Sequence, residues 1–202
     1  MSRTRISHQA RAVVTGAGGG IGRAFAFELH QRGGQVVCSD IDPTTARATA
    51  QTINEDGGQA LAVPCDVSDF AEVQQLADQA REWFGEAPNL VVNNAGVGTG
   101  GQPVDEIALE DWQWIMGINL WGVIHGCHAF VPGMKEQGSG GVINVASAAS
   151  FGATPNMGAY NTTKAGVLAL SETLHGENAD TGVHVSALCP TFVQTDVVRN
   201  AR

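Results

Sequence analysis

Tyr160 and Lys164 are four positions apart in the segment YNTTK, and both residue types are rare in this chain. Tyr160 is the only tyrosine among 202 residues, and Lys135 is the only other lysine. Residues spaced by four share one face of a helix. A phenol has a reference pKa near 10, and an ammonium group nearby favours the phenolate form. The pair therefore predicts a general acid and base that works near neutral pH.

Apolar strands alternate with helical patterns along the chain and must position this pair. The first strand, AVV at 12–14, runs into a glycine cluster, and the last predicted strand is GVHVSALCP. The longest helices are predicted at 109–135 and 159–179. Strands that are apolar throughout and separated by long helices are typical of a parallel sheet covered on both faces. The predicted fold class is therefore α/β, a doubly wound parallel sheet of the Rossmann type.

Composition narrows the class of protein and the kind of partner. The formal net charge of −9 disfavours nucleic acid and anionic membranes, since both bind basic surfaces. We see no leader pattern and no apolar run of the roughly 18 residues that a membrane span needs, which predicts a cytoplasmic protein. The cysteines are far apart in or beside apolar runs and are predicted to be buried thiols. They are Cys38, Cys65, Cys127 and Cys189.

A glycine turn joins the first strand to the first helix in TGAGGGIG at 15–22, where Gly16, Gly20 and Gly22 form G-x-x-x-G-x-G. Glycine allows a positive φ and lets a phosphate approach the main chain, while the helix N-terminus offers free N–H groups. A flexible loop could have the same glycines. Between a strand and a helix, however, the turn predicts the pyrophosphate site of a dinucleotide.

Acidic residues follow the second and third strands. Asp40 ends the second strand, where a carboxylate can accept hydrogen bonds from ribose hydroxyls and repels a 2′-phosphate. No basic residue adjoins Asp40, which favours NAD over NADP. An ordinary strand-end turn is the alternative for this residue. After the third strand, Asp66 and Val67 could hold the adenine, although a helix-capping role for Asp66 fits the sequence equally well.

Five short motifs in one order resemble the short-chain dehydrogenase/reductase family. They are TGxxxGxG, NNAG at 93–96, a serine upstream of the tyrosine, YxxxK, and PxxxxT at 190–195. The resemblance covers nearly the whole chain. It implies an oxidoreductase that transfers a hydride between a nicotinamide dinucleotide and a secondary alcohol or ketone, without a metal. The charge of Asp40 favours NAD as that dinucleotide.

The resemblance also implies roles for single residues. Tyr160 would exchange the proton with the substrate oxygen, and Lys164 would assist it and bind the nicotinamide ribose. Ser147 would hydrogen-bond the reacting oxygen, with a solvated hydroxyl as the alternative. Asn119 would kink the long helix and hold a relay water, unless it is a surface asparagine. The predicted cofactor-binding residues are Gly16, Gly20, Ile21, Gly22, Asp40, Asp66, Val67, Asn94, Ala95, Gly96, Tyr160, Lys164, Pro190, Val193 and Thr195.

Two features depart from the family pattern. Thr191 stands where the family usually has glycine, and the chain ends at Arg202, where members usually continue with a substrate-covering loop and a seventh strand. We therefore expect residues 1–202 to form a single dinucleotide-binding and catalytic domain with an incomplete C-terminus. Two other functions stay open: an NADP-dependent carbonyl reductase of the same family and a non-catalytic dinucleotide-binding scaffold.

The two longest predicted helices are more apolar than helices that cover a sheet with one stripe. The surplus favours a homodimer or homotetramer formed through 109–135 and 159–179, with burial inside one domain as the alternative. His125 and His128 are three positions apart on the first of these helices. No third ligand lies near them in sequence, so packing or interface roles are predicted rather than a metal site.

Overall fold

The computed structural model describes residues 6–191 and Val193. Its strands are β1 Arg11–Thr15, β2 Gln35–Asp40, β3 Gln59–Pro64, β4 Leu90–Asn93, β5 Gly140–Val145 and β6 Val183–Leu188. They form one sheet in the order β3-β2-β1-β4-β5-β6, and all neighbouring strands are parallel. The predicted doubly wound α/β fold is confirmed.

Helices connect successive strands on both faces of the sheet. They are α1 Gly20–Gln31, α2 Pro43–Glu55, α3 Phe70–Phe84, α4 Leu109–Met116, α5 Gly122–Gln137 and α6 Gly158–Glu177. A π-helical segment, Gly117–Trp121, joins α4 to α5, and a short 3₁₀ turn, Ala148–Ser150, follows β5. The predicted helix at 109–135 thus exists, but a wider turn interrupts its α-helical geometry.

Side-chain caps and glycines set the helix ends. Asp42 accepts a hydrogen bond from the N–H of Thr44 at 2.8 Å, and Pro43 is the first residue of α2. Asp69 accepts from the N–H of Ala71 at 2.8 Å at the start of α3, which ends at Gly85 with φ 75°. Such caps satisfy N–H groups that have no partner inside the helix.

Successive strand residues pack on opposite faces of the sheet. Val13, Val37 and Val91 belong to a cluster with residues of α3, α5 and α6. Val14 and Val36 belong to a second cluster with residues of α1 and α2. The core therefore has two layers, one on each side of the sheet.

The cysteines lie in or beside these layers. Cys38, Cys65 and Cys127 are buried free thiols, as predicted, while Cys189 is only partly buried. Burial raises the pKa of the Cys38 and Cys65 thiols to about 12 and that of Cys127 to about 11. These three thiols are therefore unreactive at neutral pH.

The combined helix Leu109–Gln137 corrects one expectation from the sequence. By length and composition alone it could span a membrane, with a mean hydropathy of 1.2 over its most apolar window. A search for purely apolar runs does not reveal this helix, because polar residues interrupt every apolar run inside it. Within the fold, 44% of that window is buried. The core helix of a soluble protein can have the same length and composition as a membrane span. Trp121, near its middle, keeps 52% of its surface exposed.

Candidate active site

The sequence motifs meet at the carboxyl ends of the parallel strands. The glycine turn follows β1, Asp40 ends β2, Asp66 follows β3, Asn94 follows β4 and Ser147 follows β5. Sheet order reverses between β1 and β4, because β2 and β3 lie on one side of β1 while β5 and β6 lie beyond β4. In open α/β sheets, ligands bind in the crevice at such a switch point.

The glycine turn leaves the start of α1 open. Gly16 and Gly20 have φ of 64° and 50°. No side chain in the described part of the chain caps α1 at Gly19, and a Cβ added there would meet no atom within 4 Å. A Cβ at Gly22 would instead overlap the carbonyl of Gly16. Free N–H groups beside open space are what a pyrophosphate requires, so this turn fits the predicted group. Ile21 lies in the first turn of this helix.

Asn94 and Thr15 join the ends of β4 and β1. The Asn94 side chain donates to the carbonyls of Thr15 and Gly16 at 2.8 and 3.2 Å. The Thr15 hydroxyl accepts from the N–H groups of Asn94 and Ala95 at 3.0 and 3.1 Å. Asn94 and Ala95 are thereby held against the glycine turn. Thr15 had no predicted role, although its place before the first glycine was a usable signal.

Asp40 lies against the glycine turn. Its Oδ2 accepts from the N–H of Gly18 at 2.9 Å, and its Oδ1 accepts from the N–H of Asp42 at 3.1 Å. The second contact is that of an ordinary strand-end turn residue. The first fixes the carboxylate beside the predicted pyrophosphate site. None of the ion pairs between described residues involves Asp40, so its charge is not neutralised by such a pair.

Asp66 stabilises a turn rather than a helix end. Its Oδ1 accepts from the N–H and the hydroxyl of Ser68 at 2.9 and 2.7 Å. The cap of the following helix is Asp69. Asp66 is partly exposed and the side chain of Val67 is buried. The turn does not use the Oδ2 atom of Asp66, which leaves an acceptor for the amino group of an adenine.

Lys164 is buried beside Tyr160 on α6. Its amine lies 5.8 Å from the centre of the Tyr160 ring and donates to the carbonyl of Val145 at 2.8 Å. Only 5% of the residue is exposed. Burial lowers the pKa of Lys164 to about 8, while the nearby Cys189 acts in the opposite direction. The ammonium form still prevails at neutral pH, next to the only phenol in the chain.

Ser147 ends the segment after β5, close to the same helix. Its Oγ accepts from the N–H of Ala149 at 3.2 Å, and the hydroxyl of Ser150 donates to the carbonyl of Lys164 at 2.8 Å. The N–H of Ala148 donates to the carbonyl of Pro190 at 2.9 Å, which brings Pro190 to this end of the sheet. Val193 is 50% exposed, and Thr195 lies outside the described residues.

Asn119 lies in the π-helical segment and is completely buried. Its side chain accepts from the N–H of Val97 at 2.8 Å and donates to the carbonyl of Val97 at 2.9 Å. A Cβ at Gly96 would lie 3.2 Å from Asn119 Oδ1 and 3.6 Å from the Lys164 amine. The alternative that Asn119 is a surface residue is therefore wrong. The sequence analysis missed Val97, whose main chain no motif marks.

The two histidines of α5 contact an aromatic ring. His125 and His128 lie 5.4 and 5.3 Å from the ring of Phe70, measured between ring centres. Within residues 6–191 and Val193, no group of three or more His, Cys, Asp or Glu side chains could hold a metal ion.

Comparison with known proteins identifies the family to which the chain belongs. Residues 10–202 match the short chain dehydrogenase family. The chain belongs to the short-chain dehydrogenase/reductase family, as the sequence motifs predicted.

Several relatives show how far the likeness extends. A short-chain dehydrogenase/reductase from Burkholderia phymatum in complex with NAD is 40% identical, with a TM-score of 0.94 over 98% of this chain and 70% of that one. D-threitol dehydrogenase of Mycolicibacterium smegmatis is 36% identical over 94% of this chain and 72% of its own length. "Probable oxidoreductase EphD" of Mycobacterium tuberculosis is 39% identical over 92% of this chain, which spans only 31% of that protein.

Proposed function

We propose that this protein is an NAD-dependent dehydrogenase that interconverts a secondary alcohol and a ketone, with Tyr160 as acid and base. The observation that carries the proposal is the buried Lys164 ammonium on the same helix as Tyr160. A role that uses the positive charge would account for one of the two lysines lying where burial disfavours its charged form.

The residues at the carboxyl edge fit a dinucleotide. The open start of α1 would bind the pyrophosphate, and Asp40 would accept hydrogen bonds from the adenosine ribose. Asp66 and Val67 would hold the adenine, and Asn94, Ala95 and Gly96 would line the ribose beside it. Lys164 would bind the second ribose, with Pro190, Val193 and Thr195 beside the nicotinamide. When bound, the nicotinamide supplies or accepts the hydride.

The chain's own side chains would handle the proton. Tyr160 exchanges it with the substrate oxygen, which the hydroxyl of Ser147 hydrogen-bonds. The positive charge of Lys164 favours the phenolate form of Tyr160. In alcohol oxidation this phenolate would accept the hydroxyl proton of the substrate, and in ketone reduction the phenol would give its proton to the ketone oxygen and become phenolate. Both polar atoms of the Asn119 side chain are used by Val97. A water relay at Asn119 would therefore depend on its main-chain carbonyl.

The carboxylate of Asp40 supports NAD rather than NADP, because a 2′-phosphate would approach an unneutralised negative charge. A solved relative from Brucella melitensis, a 3-ketoacyl-(acyl-carrier-protein) reductase complexed with NADH, is 32% identical with a TM-score of 0.91. An NADP-dependent carbonyl reductase and a non-catalytic scaffold remain the other candidates.

Further proposals concern the assembly and its place in the cell. We place the protein in the cytoplasm as a homodimer or homotetramer joined through 109–135 and 159–179. The half-exposed Trp121 and the apolar surface of the combined helix support such an interface. Sedimentation of the purified protein measures the assembly directly.

One experiment separates the three candidate functions. The purified protein is titrated with NAD and NADP, and turnover is then measured with a panel of secondary alcohols and ketones. Tighter NAD binding with turnover is expected. Tighter NADP binding would favour the carbonyl reductase, and NAD binding without turnover on any substrate of the panel would favour the scaffold.

A further inference from the structure

His125 on α5 holds the main chain of the predicted adenine loop, residues 66–68. Its Nδ1 lies 2.9 Å from the carbonyl oxygen of Val67. A carbonyl oxygen can only accept a hydrogen bond, so Nδ1 carries the proton and donates. The ring lies 5.4 Å from that of Phe70 and 5.8 Å from that of Trp121, measured between centres, and these rings limit its rotation.

Gly122 of the same long helix lets the loop pack closely, whereas a side chain at Gly117 would make only an ordinary contact with it. A Cβ at Gly122 would lie 2.7 Å from Cγ2 of Val67, and one at Gly117 would lie 3.5 Å from Cβ of Ser68. The long helix thus provides a close-fitting surface for residues 66–68, and His125 supplies its hydrogen bond.

The loop's other hydrogen bonds are local. Asp66 accepts from Ser68, and the N–H of Asp66 donates to the carboxylate of Glu72 at 2.7 Å, six residues away. These bonds give the loop its shape but do not attach it to α5. The bond from His125 spans 58 positions in the sequence and does attach it.

We propose that His125 is a positioning residue for the adenine half of the cofactor site. By holding the Val67 carbonyl, it orients the main chain on both sides of Val67 and so places Asp66 for the adenine. This inference rests on the proposed assignment of Asp66 and Val67 to adenine binding. It assigns His125 no contact with the cofactor.

The test uses variants of His125 whose side chains reproduce one ring nitrogen, the other, or neither. Asn places an amide nitrogen near the position of Nδ1, whereas Gln places it near Nε2 and Leu has none. We expect His125→Leu and His125→Gln to weaken ADP-ribose binding roughly threefold to tenfold, the size of one hydrogen bond. His125→Asn should stay near the wild type. Calorimetry of the cofactor-free protein measures this, and binding of nicotinamide mononucleotide, followed by ligand-observed NMR, should not change in any variant.

His128→Leu is the matched control, because His128 contacts the same Phe70 ring from the next helical turn. It should bind ADP-ribose like the wild type. Equal losses in the His125→Leu and His128→Leu variants, or an equal loss in the Asn and Gln variants, would mean a packing role and overturn the inference. If His125→Leu does not fold, the comparison of Asn with Gln decides.

The outcomes also separate this inference from the proposed function. Wild-type protein that binds neither NAD nor ADP-ribose overturns both. Wild-type protein that binds ADP-ribose, with all His125 variants binding equally well, overturns only the positioning role.

Discussion

Two regions of the molecule position their proposed site residues in different ways. The first, residues 11–64, carries the proposed nucleotide site and is called the nucleotide half. The second, built from β4 to β6 with α4 to α6, carries the proposed catalytic residues and is called the catalytic half. The first depends on main-chain geometry: glycines at a turn and one carboxylate that accepts from Gly18. The second depends on buried side chains. Asn119 accepts a hydrogen bond from the N–H of Val97, and Lys164 donates one to the carbonyl of Val145. The two halves differ in which groups make the contacts and not in sequence distance, since the Asp40–Gly18, Asn119–Val97 and Lys164–Val145 bonds span 22, 22 and 19 positions.

Burial makes the second half costly to alter. A buried polar group that loses its partner costs about 1–3 kcal/mol. Asn144 illustrates the network, since it accepts from Asn93 at 2.8 Å and donates to Ser171 at 3.0 Å, all three being buried. Substitutions in the catalytic half should therefore change stability together with function. Substitutions in the nucleotide half should change stability or function separately.

The largest expected effect is on turnover. Tyr160→Phe removes the hydroxyl that would exchange the proton, so we expect a loss of at least about a hundredfold in kcat, the usual size of general acid–base catalysis. NAD affinity should stay nearly unchanged because the hydroxyl meets the substrate. Steady-state kinetics and NAD titration measure both. Thr162→Val, which removes an exposed hydroxyl from the same helix, is the control and should keep full turnover. Residual activity of the Phe variant above a few per cent would argue against the role of Tyr160.

The next effect is a pH dependence of stability. The pKa of Lys164 is lowered from 10.5 to about 8. Below pH 8 both the folded and the unfolded chain carry this proton, and the folded state bears the full cost of burying the charge. From pH 8 to 10.5 the unfolded chain binds more protons, so the Lys164 contribution to the free energy of unfolding rises with pH. The rise is at most about 3 kcal/mol.

Urea unfolding of wild type and Lys164→Met across this pH range isolates the contribution. The wild type should gain stability relative to the variant as the pH rises. Lys135→Met, at the exposed second lysine, should give no such trend. A flat difference between wild type and Lys164→Met would show that the buried amine is not destabilised.

In the nucleotide half, cofactor choice should change without loss of fold. Asp40→Ala with Ile41→Arg replaces a repelling carboxylate with a partner for a 2′-phosphate. We expect NADP affinity to rise and NAD affinity to fall, each by about tenfold, or about 1.4 kcal/mol. Fluorescence titration measures both affinities, and Ile41→Arg alone serves as the control. A parent protein that already prefers NADP would contradict the assignment of Asp40.

The smallest effect tests a helix start in the same half. Asp42→Ala removes the side-chain cap of α2 and should lower the free energy of unfolding by about 1 kcal/mol. NAD affinity should not change, because the cap faces its own helix. Asp180→Ala, at an exposed acid in the turn before β6, should leave stability within about 0.5 kcal/mol. Equal losses in the two variants would mean that general charge, not the cap, matters at Asp42.

The sequence predicted the fold wherever local chemistry decides the structure. The start of α2 follows from Asp42 and Pro43, and the end of α3 from Gly85, because caps and left-handed turns depend on neighbouring residues. Ser68 and Asp69 are both residue types that cap helices, so sequence alone does not decide which of them starts α3, and the structure shows Asp69. The sequence also left Asp66 open between a cap and an adenine contact, and the structure shows a turn to Ser68.

Long-range contacts account for what the sequence missed. Helical periodicity predicted one helix over 109–135, but the π-helical segment coincides with the bonds of Asn119 to Val97, 22 positions away. The sequence predicts a packing or interface role for His125, and no sequence pattern indicates its hydrogen bond to the carbonyl of Val67. Thr15 adjoins a recognised motif, yet its hydrogen bonds reach across to β4.

The π-helical segment also sets the rotational phase of α5. A π turn holds one residue more than an α turn, and each helical residue advances the chain by about 100° around the axis. With one residue fewer in 117–121, α5 would be rotated by that angle. Gly122 would then no longer face Val67, and Gly126, whose added Cβ would lie 2.8 Å from Cγ of Asn93, would no longer face the sheet. The π-helical segment thus fixes the rotation of α5 about its axis at which Asn119 and these two glycines each face their own partner.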